Sequence, residues 1–500
     1  MAAMAKGYRP WAPTQSFLLP PSPLEWLEEG HLAYFVLDVV TGSLDLTAIE
    51  RVIQAKDWRG ERPYAPTMMV ALLVYAYSVG VFSSRRMARA TYEDVAFRVL
   101  AGGEHPHFTT INQFRLEHRG ALADLFVQVL RLCRKAGLVK LGHVSFDGSK
   151  VLANASKHKA MSYQRMQEEE KKLAAEVEAL LKRAEETDRQ EDERYGEGNT
   201  AEDLPAELRR REDRLTRIRE AKAALEREAA QARAEALRQL AEGMREKSED
   251  ESVPPKKRRE AATRARHCEE RARELDDHDD GDPSGTAVAD DLPRHRVPVE
   301  PDGTPKPKAQ RNFTDPDSRI MVKDGAAVQA YNAQIAVDAE AQVIVAVAVT
   351  NQPPDPEHLA PMLERVIANC GRAPDVASAD NGFLSQAGLE ACARRGVDAY
   401  VSLGRDLAKA GEALGAGRSQ AKKLRQAMAV KLRSDEGKRI YARRKAIVEP
   451  ALGQIKQARG FRRFSFHGLH KVRHEWSFVA LTHNLLKLFR LRRPASPLAA

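Results

Sequence analysis

The sequence predicts an α/β protein: a mixed-sheet core preceded by an all-α region and interrupted by a long charged helical insertion. Three observations lead there. Short β-branched apolar runs alternate with helical patterns after residue 311, as in Val343-Ile344-Val345-Ala346-Val347-Ala348-Val349. A related run, His143-Val144-Ser145-Phe146-Asp147, lies far upstream. Between the two, Leu208, Leu215, Ile218, Lys222, Leu225 and Ala229 follow heptad spacing in an otherwise charged stretch.

Residues 1–140 read as a compact helical domain. Met68 to Tyr77 is apolar nearly all round, as a buried helix is. Ser83-Ser84-Arg85-Arg86 opens a second helix carrying Met87, Ala90 and Val95, which Gly102-Gly103 ends. Thr109 or Thr110 caps a third, residues 111–119. The pair resembles a helix-turn-helix, with Asn112, Gln113 and Arg115 able to reach phosphates or base edges.

Residues 141–160 hold the first core strand. Alternation puts His143, Ser145 and Asp147 on one face, so one face is expected to be buried and the strand to end on a carboxylate. Residues 161–247 read as an antiparallel helical hairpin, turning near Tyr195-Gly196-Glu197-Gly198-Asn199-Thr200. Residues 248–310 read as a disordered linker, because Lys256-Lys257-Arg258-Arg259 and Asp276-Asp277-His278-Asp279-Asp280 cannot supply a core. Residues 311–490 complete the core: strands at 331–338, 343–349, 375–380 and 398–403, helices at 359–367 and 389–395, and a basic C-terminal segment.

Five hundred residues exceed one ordinary core. The net charge is +9, but residues 411–500 hold 21 Lys/Arg against 5 Asp/Glu. That density, interleaved with apolar and aromatic residues, suits a polyanion such as DNA. Cys133, Cys268, Cys370 and Cys392 have no C-x-x-C spacing, so zinc ribbons and disulfide scaffolds are not expected. A reducing cytoplasm fits them. No signal-peptide core and no membrane-length apolar run is present, so no membrane association is expected.

Three carboxylates carry the candidate chemistry: Asp147, Asp380 closing the run 375–380, and Glu449 in Val448-Glu449-Pro450. Gly148 and Gly382 follow the two aspartates and would let the chain turn sharply. Strand ends are where α/β sheets collect ligands, and oxygen donors suit Mg²⁺. Such a set can hold two metal ions for phosphodiester cleavage and transfer. Lys445, Glu449 and Lys456 would share one face of a continuous helix, with Lys456 gripping a phosphate; Pro450 conflicts with that helix.

These blocks resemble the DDE transposases of bacterial insertion sequences, in the branch with a Tyr/Arg/Glu/Lys signature around the third carboxylate. The resembling segments are Phe146-Asp147-Gly148-Ser149-Lys150, residues 312–319, Tyr331-Asn332-Ala333-Gln334, Ala379-Asp380-Asn381-Gly382-Phe383, and Val448-Glu449-Pro450 through Lys456 to Phe464. The resemblance implies an RNase H-like core. It also implies a metal-binding catalytic triad of Asp147, Asp380 and Glu449, with two Mg²⁺ ions or substituting Mn²⁺. Lys456 is the implied DNA-contacting lysine, and Lys445, Arg444, Arg462 and Arg463 are further candidate DNA-binding residues. The chain departs from the signature: Lys445 and Ala442 stand where Arg and Tyr belong, while Tyr441 and Arg444 are each displaced by one.

The expectation is a DNA transposase that cleaves inverted-repeat ends and joins the 3′-hydroxyl to target duplex DNA. It is expected to act as a homodimer or larger assembly, in the bacterial cytoplasm near the nucleoid. The alternatives are an RNase H-like nuclease without strand transfer, and a DNA-binding coiled-coil protein that has lost its chemistry.

Overall fold

A computed structural model describes residues 22, 25–56, 62–195, 206–276, 292–404 and 420–492. The chain divides into two compact units, 1–121 with 489–500, and 122–488.

The first unit is helical: α1 (Leu32–Gly42), α2 (Thr47–Gln54), α3 (Pro66–Ser78), α4 (Ser84–Glu93), α5 (Val95–Leu100) and α6 (Phe108–Glu117). Helix α3 is its axis, buried from Met69 to Ser78, as its all-round apolar sequence requires. The single helix expected from Ser83 to Gly102 is two. Asp94 is extended, and its carboxylate accepts from the Ala96 and Phe97 amides, ending α4 and capping α5. The third helix begins earlier than expected, at Phe108, with His107 rather than a threonine as its cap.

Helix α7 (Arg119–Lys135) leads into the second unit. Strands β1 (His143–Leu152), β5 (Ala326–Asp338), β6 (Ile344–Thr350), β7 (Val376–Ala379) and β8 (Asp398–Val401) build a mixed sheet in the order β6-β5-β1-β7-β8. β1 runs antiparallel to β5 and parallel to β7, and β7 parallel to β8. A short β4 (Arg319–Lys323) extends β5, and β2 (Ala160–Ser162) pairs β3 (Gln310–Asn312) apart from the sheet. Helices α11 (Leu359–Cys370) and α12 (Gln386–Arg394) alternate with the parallel strands. Helices α13 (Gln420–Arg433), α14 (Asp435–Gly453) and α15 (Leu469–Arg492) follow. This is the expected α/β RNase H-like arrangement, with antiparallel strands first and parallel ones after.

β1 departs from its sequence reading in two ways. It runs on to Leu152, paired with β5 throughout, so Asp147 lies inside the strand. Its polar face is also buried: Ser378 Oγ lies 2.8 Å from His143 Nε2 and 2.6 Å from Ser145 Oγ, which satisfies groups that would otherwise be costly to bury. Burial, with Arg443 adding to it, pushes the His143 imidazole down to about 4.

Helices α8 (Tyr163–Tyr195) and α9 (Ala206–Glu249) form the expected antiparallel pair, shown by the ion pairs Arg211–Glu176 and Lys222–Glu170; the expected turn at 196–200 lies outside the described residues. Four of the heptad positions are satisfied within the chain. Leu215 and Ile218 pack on Met166 and Leu173, and Leu225 and Ala229 on Tyr163, Val297 and Ala309. The linker reading of 248–310 fails for residues 255–276, which form helix α10 (Pro255–Asp276). Ala272, Cys268 and Leu275 pack against Ala234 and Leu237 of α9. The charge of Lys256 to Arg259 masked the few apolar positions further along the helix that make this contact. The acidic run 277–280 lies outside the described residues. Cys133, Cys370 and Cys392 are buried, which raises their thiols well above the ordinary range.

Candidate active site

Asp147 and Asp380 meet where two parallel strands part. The β1–β7 ladder ends at Phe146↔Ala379, so the next residue on each strand is an aspartate. β1 then continues along β5, with Asp147 opposite Ile335, while the chain at Asp380 turns into a short 3₁₀ segment. Asp147 Oδ1 accepts from the Gly148 amide at 2.8 Å, and Asp380 Oδ1 from the Gly382 amide at 2.8 Å.

Burial first, and then the Asp380 charge, push the Asp147 carboxyl up to about 6; Arg444 and the Gly148 amide pull the other way. The Arg444 guanidinium is buried on α14 and stands 3.7 Å from Asp147 Oδ2, too far for a hydrogen bond. The sequence left the role of Arg444 open; the structure sets it against a carboxylate, buried rather than on an exposed DNA-facing surface.

Gly148 is required for a reason other than the one read from the sequence. There is no turn at this position. A Cβ here would lie 2.6 Å from Gln334 Nε2 and 3.0 Å from Asp355 Oδ1, so the glycine permits close approach on the reverse face of β1.

Pro450 lies inside α14, which does not break. The Ala446 carbonyl, deprived of its helical donor by the proline, accepts from Gln342 Nε2 at 3.0 Å instead. A π-helical turn, Gln454–Ala458, follows and buries Ile455. The continuous helical face expected for Lys445, Glu449 and Lys456 is therefore absent. Lys445 and Glu449 are exposed on α14. Lys456 is half-buried with Nζ bonded to Ser149 Oγ, two residues beyond Asp147. Its ammonium is depressed mainly by burial and by Lys323, while Asp147 opposes the shift. Arg462 and Arg463 are exposed; Arg462 bonds the Lys456 carbonyl and Gln457, and Arg463 bridges to Leu152.

In the helical unit, Asn112 and Gln113 are exposed, as a surface role requires. Arg115 is not available to DNA. It is buried, donating to the Phe82 carbonyl at 3.3 Å, to Ser84 Oγ at 3.1 Å and to the Tyr77 hydroxyl. It ties α6 to α3 and α4, because its position in the helix repeat faces inward with Ile111 and Phe114.

Asp355 was missed by sequence reading. It lies in Pro353-Pro354-Asp355-Pro356, which reads as a loop. Its Oδ1 accepts from Asn332 Nδ2 at 2.6 Å and Gln334 Nε2 at 2.7 Å, with His358 Nδ1 at 3.3 Å and Lys150 Nζ at 3.7 Å. Burial works to raise this carboxyl, but the hydrogen bonds from His358, Asn332 and Gln334 and the Lys150 charge prevail and hold it below the usual range. A signal was present: two amides alternating in an otherwise apolar strand need a buried polar partner.

The chemistry of these donors fits a hard divalent cation. Two carboxylates are held side by side, and their mutual repulsion is offset by Arg444, with the Lys150 and Lys456 ammoniums also nearby. Among the described residues, no three His, Cys, Asp or Glu side chains converge into a closed metal cage. Mg²⁺ needs only one or two carboxylates when it keeps its waters.

The fold thus defines an α/β protein with an RNase H-like core. Comparison with known families narrows this: residues 300–485 match the family described as Transposase DDE domain, and residues 22–117 the Transposase domain (DUF772). The two matches support a DDE transposase of insertion-sequence type. No curated protein and no solved structure matches it. The family acts on DNA. Among the described residues, no single helix is long and apolar enough to cross a membrane.

Proposed function

We propose that this transposase cleaves insertion-sequence ends and transfers the freed 3′-hydroxyl to target duplex DNA, with Asp147 and Asp380 as the core of its metal-dependent site. The observation carrying this reading is the delivery of both aspartates, from positions 233 residues apart, to the fork of two parallel strands. A divalent cation pair there, Mg²⁺ or Mn²⁺, would supply Lewis-acid activation of the attacking hydroxyl and neutralise charge on the leaving 3′-oxygen.

The chain's own residues do the rest. Asp147 and Asp380 would hold the cations at the point where β1 and β7 part. Glu449 is the third carboxylate of this reading, exposed on the helix that carries Arg444 to Asp147. Arg444 offsets the Asp147 charge, and Lys456 sits beside Ser149 to take a phosphate of the bound strand. Lys445, Arg462 and Arg463 extend a cationic rim along which the DNA backbone lies. Asn112 and Gln113 contact DNA from the helical unit. Because two ends must be joined, the active species is a homodimer or larger.

Pre-cut inverted-repeat ends incubated with supercoiled target and Mg²⁺ test the reading. Joined products in Mg²⁺ and none in EDTA are expected. Nicks without joined products would leave a nuclease, and binding without any cleavage would leave a DNA-binding protein that has lost its chemistry.

A further inference from the structure

The reverse face of β1 carries a polar group that the two-aspartate site does not use. Asn332 and Gln334 are fully buried on β5, and both amide nitrogens are turned to Asp355 Oδ1. Their oxygens are left over: Asn332 Oδ1 and Gln334 Oε1 are buried and have no hydrogen-bond donor. Orphaned acceptors of this kind are costly, and two side by side call for a donor from outside the chain.

Asp355 is divided in the same sense. Every side-chain donor reaches Oδ1. Oδ2 points to Gly382, where an added Cβ would lie 3.3 Å from it and 3.0 Å from Asp380 Oδ1. The Asp355 and Asp380 carboxylates therefore both lie close to Gly382. Asn332 Oδ1 would lie 3.1 Å from a Cβ on Gly148, so this orphan adjoins the residue after Asp147.

We propose that Asp355, Asn332 and Gln334 form a positioning wall that holds a hydrated divalent cation at the Asp147–Asp380 fork through the cation's own waters. The inference rests on the functional reading above and assigns it three residues outside the triad. A hydrated Mg²⁺ retains several waters, whose O–H groups are donors of the kind that Asp355 Oδ2 and the two amide oxygens lack. Partners that hold a metal's ligands from outside typically matter 10–100-fold in affinity.

Mn²⁺ binding to the full-length protein without DNA, followed by electron paramagnetic resonance, tests this. Asp355→Asn is expected to weaken Mn²⁺ binding about tenfold or more, as Asp147→Asn does. Unchanged Mn²⁺ affinity in Asp355→Asn, beside a loss in Asp147→Asn, overturns this proposal and leaves the two-aspartate reading standing. A wild-type protein that takes up no Mn²⁺ overturns both. Should Asp355→Asn fail to fold, Fe²⁺ with peroxide and ascorbate applied to the wild-type protein decides. Backbone cuts near both Asp147 and Asp355 are expected; cuts near Asp147 with none at residues 353–357 contradict the proposal.

Discussion

Asp147→Asn is expected to abolish Mg²⁺-dependent strand cleavage and, in the same protein, to raise stability. The loss of cleavage should be about a hundredfold or more, since even an outer partner of a metal site typically costs about 10–100-fold and Asp147 is read as a direct ligand. The gain in stability follows from electrostatics. Burial and Asp380 raise the folded carboxyl from 3.8 to about 6. A carboxyl raised on folding stabilises the fold fully only below its unfolded value, and that stability is lost as pH climbs through about 6. At pH 8 in EDTA the wild-type protein therefore carries an unfavourable charge that asparagine removes. The difference is on the order of 2–3 kcal/mol at most. Thermal melts should place Asp147→Asn above wild type at pH 8, level with it near pH 4, and no longer above it once Mg²⁺ is added. A variant less stable at pH 8 in EDTA, with cleavage retained, would contradict the assignment.

Trp476→Ala is expected to have the largest effect on stability. Trp476 is fully buried on α15 among Phe461 and Phe464, and its Nε1 donates to the Gln334 carbonyl at 3.0 Å. Truncation removes that aromatic packing and leaves a cavity against the strand that carries Asn332 and Gln334. The cost should be ~3–5 kcal/mol, read from urea unfolding. Trp476→Phe, which keeps most of the ring, should lose much less. Equal losses in the two variants would show that the Nε1 hydrogen bond, not the packing, dominates.

Much of the core was legible because its strands are short, apolar and β-branched, a pattern that needs no knowledge of partners. The two aspartates were legible for the same reason, since each follows such a run. What the sequence could not convey was pairing. Read alone, 143–147 ends in a carboxylate; only the antiparallel partner at 330–338 shows that the strand continues and that its fork with β7 makes Asp147 special. Side-chain direction was the second gap. Arg115 and Arg444 are both helical arginines, yet both point inward, one onto Tyr77 and the other toward Asp147. Local repair was the third: Pro450 argued against a helix until Gln342, 108 residues earlier, proved to bond the carbonyl it frees. Helix α10 was hidden because its contact with α9 rests on Cys268, Ala272 and Leu275, too weak a signal beneath eight lysines and arginines. Asp355 was hidden because nothing in a proline-rich loop tells which strand face it will meet.

The central claim is that Asp147 and Asp380 share divalent cations. Crystals of the full-length protein soaked in Mn²⁺ and measured at the manganese absorption edge test it most directly. Anomalous density is expected at the β1–β7 fork within coordinating distance of both carboxylates, lost in Asp147→Asn. Manganese bound only elsewhere, or persisting at the fork in Asp147→Asn, would contradict it.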